Sequence, residues 1–424
     1  MKRERLAVIG GGIAGLGSAW LLRHRYEITV FERENHLGGH SNTVEVEEEG
    51  QRLPVDTGFM VFNKVTYPYL VRLFQELEVP IKPTEMSFSV RHEGLDLEYN
   101  GMGFNRVFAQ RRNLLRPRYL KLLAQILRFF RVARASLESE ELETMSVQDF
   151  TSRHGLDEDF LRLYLVPMSA SIWSITPGGA LDFPAATLVR FFHNHGFLGV
   201  GTHHPWFTVD GGSRQYVRRL LKELPGARAR TPVARVESRP DGVTVRTVDG
   251  STATFDRVIL AAHADESLAL LDRPTPLQVR LLSAFRYGAN ETALHTDATV
   301  MPRRKLAWAA WNYRMEPSEE GDRPSTHYYI NRLQGVGRTK NYFVSLNYTD
   351  RIDPEQLLWR TNYTHPIFDR AALAAQRHLS SINAEAPNQR LFFCGSYFRY
   401  GFHEDAFASA VNCARTVCRE DPWP

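Results

Sequence analysis

Residues 5–32 read RLAVIGGGIAGLGSAWLLRHRYEITVFE, and their order decides the fold. An apolar run from Arg5 to Ile9 stops at Gly10-Gly11-Gly12, and the segment 16–25 follows with Leu16, Ala19, Trp20 and Leu22 at helical spacing. Ile28-Thr29-Val30-Phe31 is a second strand-like run, and it ends in Glu32. Strand, glycine turn, helix and strand, with an acid about 20 residues beyond the glycines, is the spacing of a dinucleotide-binding βαβ unit. Each position has a physical reason. Gly10 permits the tight turn, Gly12 lacks the Cβ that would hold the backbone away from a pyrophosphate, and Gly15 lets the helix lie close on the sheet. Ile13 and Ala14 of the glycine turn are expected to touch the cofactor, and the N-terminus of the helix that follows offers free N–H groups and a positive dipole end to phosphate. Glu32 is placed to accept ribose hydroxyls, and it would repel the 2′-phosphate that Arg33 alone would suit.

The segment 33–41, RENHLGGHS, sets a glycine pair just beyond the ribose acid, and 55–60 reads VDTGFM. A plain turn explains a glycine pair taken alone. Following Glu32, the pair resembles the extended fingerprint of the flavin amine oxidase and phytoene desaturase superfamily. The resemblance implies FAD, expected without a covalent link. Gly38, Gly39, His40 and Ser41 would lie near its phosphates and ribityl chain, and Gly58, Phe59 and Met60 beside its ring. Near the other end, RLFFC (390–394) reads as a buried strand broken by Gly395-Ser396, and YGFHED (400–405) precedes a helix-compatible run over 406–416. This is similar to the superfamily's closing strand–glycine–helix unit, which implies flavin contacts from Gly395, Ser396, His403, Glu404 and Ala406. Ser396 stands where that unit usually carries an acid. Glu404 and Asp405 also suit capping of the helix, and His403 is the candidate catalytic proton donor or orienter.

A third matching piece is TVDGGS at 208–213, followed by a helix over 214–224, strands over 232–236 and 242–245, and a buried strand over 255–262. The resemblance sets the backbone of Val233 against adenine. The expected fold is α/β, a Rossmann-type FAD-binding domain interleaved with an α+β substrate domain of mixed sheet plus helices. The FAD domain is discontinuous, 1–85, 205–272 and 385–424, and the substrate domain takes 86–204 and 273–384. Strand-like runs over 292–295, 306–311, 327–330 and 342–346 supply the substrate sheet.

The segment 111–134 holds eight Arg or Lys and no acid. Tyr119, Leu122, Leu123, Ile126, Leu127 and Phe130 repeat at helical spacing, with Arg118, Lys121, Arg128 and Arg131 opposite. Two readings stand: a solvated helix packed on the core, or peripheral membrane contact through 111–134 and a greeting surface for anionic amphiphiles.

A net charge of +4 over 424 residues gives no concentrated basic face for nucleic acid. No run of about 20 apolar residues is present to span a bilayer. The cysteines, Cys394, Cys413 and Cys418, match no metal spacing and read as reduced thiols, with a cytoplasmic location expected, including the inner face of the membrane. His193, His195, His203 and His204 lack the spacing of a metal site, so no metal is expected.

Amine oxidases of the superfamily usually carry a lysine on the substrate sheet, where Asn290, Glu291 or Thr292 falls here, and Phe402 replaces a usual tyrosine. The chain is more similar to a bacterial NAD/FAD-binding, amine-oxidase-like family linked to fatty-acid modification. It is also similar to the flavoprotein domain at the N-terminus of plant cyclopropane fatty acid synthases. The matching segments are 56–63, 295–302, 307–313 and 400–405. The resemblance implies an FAD-dependent oxidoreductase that desaturates a lipid acyl chain by hydride transfer to flavin N5. Amine oxidation, double-bond isomerisation, and a non-catalytic flavoprotein partner of a lipid methyltransferase are the alternatives.

Overall fold

The computed structural model describes residues 3–173, 175–319, 321–384 and 390–423. The nucleotide motif opens a five-stranded parallel sheet. Its order is Ala227–Arg228, Glu27–Phe31, Arg5–Ile9, Arg257–Leu260, Leu391–Phe393. Leu6, Ala7 and Val8 in the central strand are fully buried, as expected where both faces of a parallel sheet are covered. Helix α1 (Ile13–Leu22) is buried along its whole length. The C-terminal helix packs along it, so α1 carries no polar face. The first and last segments of the chain thus build one layer, although hundreds of residues separate them.

A second, seven-stranded sheet is mixed. Its order is Leu357–Ile367, Arg286–His295, Phe343–Leu346, Gly321–Tyr329, Trp311–Ser318, Phe88–His92, Leu97–Asn100. Only the Trp311–Ser318 and Phe88–His92 pair runs parallel. Helical segments between residues 103 and 194 pack against its Trp311–Ser318, Phe88–His92 and Leu97–Asn100 strands. Helix α2 (Pro68–Glu76) and helix α3 (Pro117–Ala135) both begin on a proline, whose fixed φ suits the first turn and whose missing N–H costs nothing there. The division into two domains remains a proposal, supported by the segregation of strands between these sheets. The expected boundary at 385 lies outside the described residues.

Two elements depart from the sequence reading. The run 306–311 is not a strand: Lys305–Ala307 is a short 3-10 turn, and the strand begins at Trp311. Side chains take the backbone donors there. Ala309 N–H donates to Asn312 Oδ1 and Ala310 N–H to Ser87 Oγ, both at 2.9 Å, so no ladder forms. Conversely, Leu357–Ile367 is an eleven-residue strand that the sequence reading did not mark. It pairs antiparallel along its length with Arg286–His295.

Candidate cofactor and substrate site

A cavity of about 1540 Å³ is lined by residues of both sheets, beyond the ~300–1,000 Å³ of ordinary ligand pockets. One end is built by the N-terminal motif. Gly10 has φ +109°, and a Cβ there would lie 2.8 Å from the carbonyl oxygen of Ala261. A Cβ on Gly15 would stand 1.9 Å from the Gly10 carbonyl oxygen, so α1 could not approach the turn. At Gly12 an added Cβ meets no atom within 4 Å and would point into open space at the start of α1. That space, at a helix N-terminus with free N–H groups, suits phosphate.

Glu32 is 9% exposed; one carboxylate oxygen accepts Gly11 N–H at 2.7 Å and the other accepts Glu34 N–H at 2.8 Å. Arg33 is drawn off by Glu266 at 2.6 Å. Gly38 N–H donates to the Gly11 carbonyl at 2.8 Å, which fastens the glycine pair to the first turn.

The C-terminal unit closes the middle of the cavity. Helix α4 (His403–Cys418) begins three residues before the expected run, because the Asp405 carboxylate accepts Phe402 N–H at 3.0 Å and fixes the first turn. His403 stacks on Phe59 at 3.8 Å between ring centres, and its Nε2 shares a hydrogen bond of 2.8 Å with the Tyr216 hydroxyl. Burial pushes the imidazole down to about 3, so it is neutral at neutral pH. Its ring is therefore fixed in position and available to orient a proton.

Gly10, Gly12, Ile13, Ala14, Glu32, Arg33, Gly38, Gly39, His40, Gly58, Phe59, Met60, Val233, Gly395, Ser396, His403 and Ala406 all line the cavity. Three expected contacts do not. Gly15 packs under the turn, as its role in helix docking requires. Ser41 turns inward to the Tyr216 hydroxyl and supports His403 from behind at 3.4 Å. Glu404 points away, its carboxylate accepting Tyr69 N–H at 3.0 Å and Leu70 N–H at 2.9 Å at the start of α2. Asp56, which precedes Gly58 in the turn, is also off the wall. It accepts donors from Thr43, Ser213 and Gln334, while burial raises its carboxyl to about 6.

Around His40, which the glycine-pair motif marked, stands a group of residues that no motif announced. His40 stacks on Tyr363 at 4.8 Å and lies 5.2 Å from His365. His365 Nδ1 sits 3.1 Å from the Asn290 amide nitrogen, and His263 Nδ1 sits 3.3 Å from the Thr364 hydroxyl. Burial pushes His365 down to about 4, with repulsion from His263 adding to it. His40 Nε2 is sealed from solvent with no partner among the described residues. Four separate chain segments supply this cluster, so no spacing in the sequence could mark it.

The other end of the cavity is apolar. From α3 come Leu123, Ile126, Leu127 and Phe130, so the helix presents its apolar face to the cavity as well as to the core. Trp173, Phe191 and Phe402 pack as an aromatic wall, with Phe191 and Phe402 stacked at 5.1 Å. Trp311, Tyr328 and Leu346 of the mixed sheet form part of the floor. His195 and His203 also lie on the wall, without a third ligand: no cluster of His, Cys, Asp or Glu among the described residues could hold a metal. The cysteines are free thiols, Cys394 and Cys413 buried.

The residues fit an extended dinucleotide: an acid for a ribose, an open glycine at a helix N-terminus, and a second helix N-terminus further along the same cavity. Comparison with known proteins agrees. Residues 13–305 match the model of the family described as flavin containing amine oxidoreductase. The chain is 28% identical over 282 residues, 60% of its length, to a carotenoid phi-ring synthase of Streptomyces griseus. It spans about half of that relative, 52%. Among solved structures it resembles cyclohexylamine oxidase from Brevibacterium oxydans, with a TM-score of 0.69 at 14% identity over 98% of this chain and 99% of that one. It equally resembles a CLA-producing fatty acid isomerase from P. acnes, with a TM-score of 0.68 at 14% identity over 99% of both chains. At such identity these likenesses speak for the fold. By the family match over most of its length, the chain belongs to the flavin-containing amine oxidoreductases.

Proposed function

We propose that this enzyme dehydrogenates the acyl chain of a lipid, removing a hydride and a proton from adjacent carbons to leave a double bond. The observation that carries the reading is where charge falls along the cavity. Among the described residues its charged lining is Glu32, Arg33, Glu34 and Glu266, all beside the nucleotide motif. The end walled by α3 and the aromatic side chains has no carboxylate and no lysine. An ammonium group taken into such a wall would lose its hydration without a partner, whereas a hydrocarbon chain gains about 25 cal/mol for each Å² it buries.

FAD, when bound, supplies the hydride acceptor. The protein's part is to hold the chain, exclude water and fix the imidazole of His403. The names of the relatives support an apolar substrate, since one concerns carotenoid rings and a fold neighbour is named for a fatty acid. On the substrate sheet Asn290 is tied to His365 and Asn347 rather than presenting a cation.

The test is anaerobic incubation of the flavin-loaded enzyme with phospholipid-borne acyl chains. Bleaching of the oxidised flavin, with a product lighter by one H₂, supports dehydrogenation. A product of unchanged mass with the flavin left oxidised replaces it with isomerisation. No change with any lipid, together with co-purification of a lipid methyltransferase, replaces it with a non-catalytic partner role. Bleaching by amines alone restores amine oxidation.

A further inference from the structure

We infer that the apolar mouth of the cavity docks on an anionic bilayer surface, so that lipid passes from the membrane into the site without crossing water. The inference rests on the acyl-chain reading for what is collected, and on the surface itself for the docking.

Four large apolar wall residues are also exposed: Met102 at 39%, Phe104 at 73%, Leu127 at 53% and Val200 at 80%. Residues that both line a cavity and face solvent mark its rim. The rim continues outward on α3, where Leu120 and Leu127 share a stripe with Leu123 at i, i+3 and i+7. Beside the start of that helix Leu115 is 88% exposed, and Leu114 is 41% exposed. Scattered single hydrophobes need no explanation, but exposed apolar side chains on the wall of an apolar cavity, and on and beside the helix that lines it, mark an interaction surface.

Charge selects the partner. Of the eight cations in 111–134, three have carboxylate partners: Arg112 with Asp96, Arg118 with Asp159, and Lys121 with Asp157. The other five, Arg111, Arg116, Arg128, Arg131 and Arg134, have no ion pair among the described residues. Arg128 and Arg131 follow the exposed Leu120–Leu127 edge around the helix, away from the residues buried in the core. Exposed apolar side chains set beside unpaired arginines match the interfacial region of a membrane that carries anionic headgroups. No described helix is long and apolar enough to cross a membrane, so the contact is peripheral.

The experiment sediments the flavin-loaded protein with phosphatidylcholine vesicles, and with vesicles containing phosphatidylglycerol, at low and high salt. Binding to the anionic vesicles that weakens with salt is expected. Two double variants, Leu115→Ser with Leu120→Ser, and Arg128→Gln with Arg131→Gln, change no cavity wall residue. Each is expected to lower vesicle partition by about tenfold while flavin content and melting temperature hold. Wild-type protein that stays in the supernatant, or variants that partition as wild type does, overturn the docking. Turnover of detergent-dispersed lipid without vesicle binding overturns the docking alone. Vesicle binding through this face without any reaction on lipid supports it and removes the acyl-chain reading instead.

Discussion

The carboxylate of Glu404, second residue of α4, accepts the backbone N–H of Leu70 at 2.9 Å and so caps a helix that begins more than three hundred residues earlier. The N-cap of α2, Tyr67, supplies no side-chain acceptor, and Glu404 takes that part from outside the helix. Glu404→Gln sets an amide nitrogen against one of two backbone donors. It is expected to lower unfolding free energy by about 1–2 kcal/mol, read from urea titration. Flavin content should stay as in the wild type; its loss would return Glu404 to the cofactor wall.

Gly12 and Gly15 should fail in different ways. A side chain at Gly12 enters open cavity without disturbing the protein, so Gly12→Val is expected to fold with an unchanged melting temperature in the flavin-free form and to purify without FAD. At Gly15 a Cβ meets the Gly10 carbonyl, and Gly15→Ala is expected to destabilise the flavin-free protein itself by about 1–3 kcal/mol through overpacking. Absorbance of the bound flavin and thermal melts of both variants separate the two outcomes.

Asp56 is surrounded by donors only, from Thr43, Ser213 and Gln334. Burial raises its carboxyl to about 6, and it is ionised at neutral pH. Asp56→Asn replaces an acceptor with a donor facing donors, with an expected cost of about 1–3 kcal/mol at neutral pH. Asp56→Asn melting as the wild type does would show that this buried network carries no stability.

Acidification should destabilise the protein. Burial holds His195, His295 and His365 down to about 4 and His403 to about 3, and keeps His40 and His327 well below their ordinary value. A folded pKa below the unfolded one means that the unfolded chain binds more protons, so this stability is complete above about pH 6.5 and is lost as pH falls. Glu404, raised to about 7, and Asp56 and Asp405, raised to about 6, work in the opposite sense over the same window. Six histidines against three acids leave a net loss of stability as pH falls from about 6.5 to about 5. Calorimetry in buffers of different ionisation heat would show proton uptake on unfolding; a melting temperature that rises on acidification contradicts the assignment.

The nucleotide end was legible because its determinants are local. Gly10, Gly12, Gly15 and Glu32 lie within one βαβ unit, where turn, helix start and strand end are fixed by near neighbours. Gly38, Gly39 and the Gly395–His403 segment could be placed by resemblance for the same reason: each is a short motif carrying its own geometry.

What the sequence alone determined was the class of cofactor, the α/β fold, and the amphipathic pattern of α3. Tertiary structure decided which way individual side chains turn. Ser41 and Glu404 sit in matching motifs, yet backbone donors and a tyrosine hydroxyl elsewhere in the chain draw them off the cavity. The same holds for the cluster of His40, His263, Tyr363 and His365, and for the strand Leu357–Ile367, both set by pairing between distant segments. Periodicity reports only what a residue's neighbours in sequence require. The charge-free end of the cavity, on which the substrate reading stands, exists only once α3, the aromatic wall and the mixed sheet are brought together.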